Sequence, residues 1–149
     1  MDMEALMMME RIEEVTSLCE RNSPGYENVS NFSIALYVLG CYDGQGLMSA
    51  PDVDDYDAAD YLKEWFTEVQ ESDISPGYSI RKIKERYLVV LGDPLFPKHF
   101  AVVVDMTAER PYFSKLRFLG SGYDKLDELI VEFMYDDLQD NSVRYYKLD

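Results

Sequence analysis

Apolar positions in the first twenty residues recur at a helical period. Met3, Leu6, Met7, Ile12, Val15, Leu18 and Cys19 are separated by glutamates, which predicts an amphipathic helix over residues 2–21. Ser23-Pro24-Gly25 then breaks the pattern. The next apolar run, Phe32 to Leu39, is too short for its period to separate a buried helix from a buried strand. Ser30, a good N-cap, tilts the reading toward helix. A glycine-containing loop over 40–51 follows. Asp52, Asp54 and Asp55 then stand where a helix N-terminus favours negative charge, and Ala58, Leu62, Trp65, Phe66 and Val69 form the stripe of a helix reaching to about Glu71.

The pattern changes after Ser75-Pro76-Gly77. Tyr87–Leu91 and Phe100–Val104 are short apolar runs bounded by Gly, Pro and Asp, which predict buried strands. With Asp93–Pro97 between them, they form an antiparallel hairpin with a long loop. Tyr112–Leu119 predicts a third strand, and Tyr78–Arg86 an additional edge strand. Ser121 and Asp124 have the spacing of a capping box ahead of Leu126, Leu129, Ile130, Phe133 and Met134, the stripe of another helix. Ser142–Leu148 predicts a closing strand. Helices segregated from strands point to an α+β fold: N-terminal helices on an antiparallel sheet of about four or five strands, with one amphipathic helix before the last strand. No linker divides the chain, so residues 1–149 are expected to form one domain.

Composition adds little to the fold and much to the choice of partners. The net charge is −15, and it is uneven. Residues 1–74 carry 17 acids against Arg11, Arg21 and Lys63, whereas residues 75–149 carry 12 acids and 11 bases. An acidic face repels nucleic acid and anionic membranes and attracts basic proteins. The start of the chain lacks the basic, apolar pattern of a secretory signal, and no stretch has the length of apolar sequence a membrane helix needs. A cytoplasmic location is expected, with Cys19 and Cys41 as reduced core thiols.

Candidate chemistry is sparse. His99 is the one histidine and the one weak catalytic candidate. No nucleophile elbow or phosphate-binding loop accompanies it. Three Cys and His residues fall short of a structural zinc set. The acids from Asp52 onward fail the calcium-loop pattern, because Tyr56, Asp57 and Lys63 occupy its fifth, sixth and twelfth positions. No cofactor is expected. The cluster Arg81, Lys82, Lys84 and Arg86 suits a charged edge strand that resists aggregation.

Two features suit a binding surface. One is the tyrosine-rich acidic stretch of Asp52, Asp54, Asp55, Tyr56, Asp57, Asp60, Tyr61 and Glu64, with Tyr42 and Asp43 before it. The other is Phe96 in the hairpin loop. The leading expectation is a non-enzymatic module whose acidic half engages a basic protein, as an immunity or inhibitor protein or a nucleic-acid mimic would. The alternatives are a small hydrolase-like enzyme built on carboxylates and His99, and a self-assembling protein whose basic cluster meets the acidic half of another copy.

Overall fold

The structure is a computed structural model, and it describes residues 2–24, 29–42, 46–134 and 143–149. It is an α+β fold. The helices are α1 (Met3–Leu18), α2 (Asn31–Leu39), α3 (Asp55–Trp65) and α4 (Leu126–Met134). The strands are β1 (Cys19–Glu20), β2 (Ser23–Pro24), β3 (Phe66–Val69), β4 (Tyr87–Asp93), β5 (Phe96–Val103), β6 (Tyr112–Lys115), β7 (Ser121–Asp124) and β8 (Val143–Leu148). They form one sheet of order β2-β1-β7-β6-β5-β4-β8-β3. Every pairing is antiparallel except β1 with β7.

Side chains alternate faces along a strand, so β5 sends its neighbours in opposite directions. Phe100 meets Phe32 of α2 edge-on, with ring centroids 4.9 Å apart. His99 meets Phe133 of α4. Helices α2 and α3 therefore cover one face of the central strands, with α1 packed against α2, and α4 covers the other. The core runs through all of these elements as one contiguous cluster.

Phe32–Leu39 is helical. Ser30 caps it by accepting a hydrogen bond from the Ser33 N–H at 3.0 Å, and Gly40 ends it in the left-handed region at φ 83°. On α1 the buried stripe is Ala5, Met8, Ile12 and Val15, continued by Cys19, while Met3, Leu6, Met7 and Leu18 are exposed.

The strand count exceeds the expected four or five, because short strands occupy three segments where helix was expected. α1 gives way at Cys19, and two-residue strands follow, with Gly25 of the expected stop outside the described residues. α3 ends at Trp65, not near Glu71: Phe66 turns extended and Phe66–Val69 pairs residue by residue with β8, a ladder that outweighs a few residues of helix preference. Ser121–Asp124 is strand β7, not a capping box. The Asp124 carboxylate is held by Arg21, and in the first turn of α4 the Glu128 carboxylate reaches back to accept from the Lys125 N–H at 2.9 Å.

Three further expectations change. Tyr78–Arg86 forms turns with one isolated bridge, Ser79 to Asp105, and no strand. Its own groups close it: the Tyr78 hydroxyl donates to the Glu85 carbonyl and Arg86 Nη1 to the Ile83 carbonyl. Arg81, Lys82 and Lys84 are exposed on these turns, but Arg86 is buried and pairs with Asp2 at 3.9 Å. The β4–β5 loop is two residues, Pro94-Leu95, because Asp93 pairs with Phe96; a bulge at Leu91/Gly92 absorbs the extra residue, with Gly92 at φ 94°. The third strand ends at Lys115, and the closing strand β8 is internal, between β4 and β3.

Candidate functional site

The acidic helix is set in place by two serines of α2. The Ser30 hydroxyl donates to the Val53 carbonyl at 2.6 Å, and the buried Ser33 hydroxyl donates to the Pro51 carbonyl at 2.7 Å and accepts from the Val53 N–H at 2.8 Å. These bonds fix residues 51–53, and α3 starts directly after them. Asp54 is its N-cap, accepting from the Asp57 N–H at 2.8 Å. The Asp55 carboxylate accepts from the Tyr56 N–H. Both carboxylates therefore start the helix, where its dipole favours them.

The helix buries Ala58, Ala59 and Leu62 against the sheet. Its opposite face carries Asp57, Asp60 and Glu64 at i, i+3 and i+7, all exposed. Aromatic rings flank this ridge on both sides. On one side Tyr56 meets Phe96 of the hairpin turn edge-on, with centroids 6.0 Å apart; the two are 66% and 55% exposed. The two features noted separately in the sequence thus form one surface. On the other side Tyr61 lies 5.8 Å from Trp65 and 6.0 Å from Tyr42. Trp65 belongs to the expected core stripe, yet it is 43% exposed. Its spacing of four from Tyr61 and one from Glu64 is the sequence signal for this position at the ridge's margin.

Between the ridge and residues 51–53 lies an open concavity of about 420 Å³. Asp52, Asp57, Asp60 and Glu64 line it with Tyr61 and Trp65, and among the described residues no cationic side chain does. None of these four carboxylates forms an ion pair with a described residue. Partial burial, then Cys41 and Asp57 nearby, raise the Tyr61 hydroxyl above its ordinary value, so it is a neutral donor at physiological pH. Such a surface offers a cation several carboxylates and aromatic walls at once. Asp43, part of the same acidic stretch in sequence, lies outside the described residues.

His99 is elsewhere. It is fully buried on the far face of the sheet, and none of the described concavities is lined by it. Burial, and then the charge of Arg117, hold it well below its ordinary value. Among the described residues no group of three or more His, Cys, Asp or Glu is placed to hold a metal ion. Among them, too, no helix is long and apolar enough to cross a membrane.

A second concavity, of about 440 Å³, lies between α1 and the turns after Tyr78. Met9, Ile12 and Ile80 line it together with Glu13, Arg81 and Tyr123. Comparison with protein-family models, with curated proteins and with solved structures finds no match to this chain.

Proposed function

We propose that this protein is a non-enzymatic binding module that engages a basic protein through the exposed face of α3. The observation that carries the reading is the concavity lined by four carboxylates that pair with no described residue, with no described cation lining it and with Tyr61 and Trp65 beside it. The exposed Tyr56–Phe96 pair supplies apolar contact area next to the charge. Interfaces that join aromatic anchors to a charged surround gain specificity and association rate from the charge, and most of their affinity from the anchors. An immunity protein, an inhibitor or a nucleic-acid mimic uses such a surface against a basic toxin or nuclease. Cys19 and Cys41 are both buried and no disulfide joins them, which suits a reducing compartment such as the cytoplasm. Self-assembly through Arg81, Lys82 and Lys84 is the second reading, supported by the exposure of that cluster. The burial of His99 lends no support to an enzyme built on it.

The test compares the wild type with the Asp57→Lys/Asp60→Lys/Glu64→Lys variant as baits in lysate of the native host, at low and high salt. A basic protein held by the wild type at low salt, released at high salt and missed by a folded variant is the expected result. Salt-insensitive capture shared by both baits, or an empty capture at both salts, refutes the reading. Sedimentation of the purified protein at the same salts reads out self-assembly.

A further inference from the structure

His99 faces away from the acidic helix, and the described residues around it offer an added proton no acceptor. Leu91 lies opposite it on β4. From α4, the Phe133 ring stacks on the imidazole, with centroids 3.7 Å apart and planes 14° from parallel. In the β6–β7 connection, the Arg117 guanidinium carbon stands 5.7 Å from the centroid of the same ring. Phe133 thus meets both an imidazole and a guanidinium. Neither His99 nitrogen has a hydrogen-bond partner among the described residues. Arg117 is the one charged group among them that acts on His99. Among the described residues an imidazolium here would be buried, without a hydrogen-bond partner and near a like charge.

The cheapest relief is local. α4 has nine residues, and of its described side chains only Leu129 and Phe133 are fully buried; Val131 is 63% exposed. An element with so few buried anchors opens more easily than the strands beneath it. We propose that α4 is an acid-released clasp: protonation of His99 lifts Phe133 from the imidazole and undocks the helix, uncovering the face of β4 and β5 that carries Val89, Leu91 and Ala101. By register with His99 these residues share that face. The closed form carries no proton on His99 and the open form takes one. Its population relative to the closed form therefore grows by up to about tenfold for each pH unit below about 6.5.

The experiment is native-state hydrogen exchange on the wild type and on His99→Phe, with protection factors corrected for intrinsic rates, between about pH 7.5 and 5. The expected result is a loss of protection of roughly 30-fold in Leu126–Met134, with the amides of Val89–Leu91 and Ala101–Val103 still protected. His99→Phe keeps an aromatic stack that cannot titrate, so its α4 protection stays level across the range. Equal loss in helix and strands, no loss in α4, or the same acid response in His99→Phe overturns the clasp. If His99→Phe does not fold, the wild type still decides the matter, because the chain has one histidine and its ring-proton signal reports His99 alone. While the closed form dominates, that signal must keep its neutral position as α4 protection falls through the histidine range. Titration near the ordinary histidine value under a helix that keeps its protection, or a helix still fully protected at about pH 5, overturns the proposal.

Discussion

Replacing Gly120 by alanine tests how the N-terminal helix is joined to the sheet. A Cβ at this position would lie 1.9 Å from the Glu20 carbonyl oxygen, 2.2 Å from its carbon and 2.4 Å from the Cys19 oxygen. All three are backbone atoms, so no side chain can rotate away, and the two segments must part by roughly 1 Å. That movement stretches the 3.1 Å bond from the Gly120 N–H to the Arg21 carbonyl and the 3.0 Å bond from Arg21 Nε to the Gly120 carbonyl. It also disturbs the parallel pairing of Glu20 with Ser121. Overpacking costs about 1–3 kcal/mol, and each weakened hydrogen bond about 0.5–1.5 kcal/mol. We expect a total near 3 kcal/mol, which for a chain of this length lowers Tm by roughly 6–12 °C. The control is Gly77→Ala, where the nearest atom is Ser75 Oγ at 3.8 Å. It leaves Tm unchanged or raises it slightly. Thermal unfolding followed by circular dichroism reads both. A Gly120→Ala protein that melts with the wild type, or a Gly77→Ala protein that falls equally far, refutes the reasoning.

Three further outcomes follow from other contacts. Asp124→Ala removes the partner of Arg21, now bidentate at 3.1 and 3.0 Å, and costs about 2 kcal/mol in urea unfolding, below the fully buried case because Arg21 is partly exposed. Ser33→Ala loses two hydrogen bonds that fix residues 51–53, so we expect about 1–3 kcal/mol less stability and weaker capture of the basic partner proposed above, although Ser33 is buried and cannot touch it. Tyr78 is fully buried, and burial pushes its hydroxyl up to about 12. Its folded value lies above its unfolded one, so its stabilisation is complete below about pH 10 and is lost as pH rises toward 12, by about 2–3 kcal/mol. Tyr78→Phe flattens that alkaline loss, and unchanged pH dependence in the variant refutes this assignment.

Segments whose structure is decided locally were legible in the sequence. Ser30 caps α2 as its position suggests, and the runs at Tyr87–Leu91 and, up to Val103, at Phe100–Val104 are strands because they are apolar throughout and covered on both faces. The misread segments depend on partners far along the chain. Phe66–Val69 is extended because β8 lies beside it, and Ser121–Asp124 because β6 and Glu20 do. A four-residue strand carries too little pattern to announce a partner about eighty or a hundred residues away. The candidate surface divides in the same way. The acids of α3 and Phe96 stood out as residue types, but their junction at Tyr56 comes from helix-on-strand packing. Nothing near His99 in sequence marks Phe133 as its neighbour, since the two meet only when α4 folds over β5.

The internal position of β8 sets an order on the making of the protein. β3 pairs with no other strand, and β4 lacks one of its two neighbours, until Val143–Leu148 has been synthesised. At about 5–20 residues per second, roughly 4–15 s pass on the ribosome between Phe66 and Val143. Throughout that interval the nascent chain holds open strand edges of the kind that recruit other chains. Most of the acids of the first half precede Phe66 and are in the chain before the wait begins. Like charge on neighbouring nascent chains opposes their association while the sheet is unfinished.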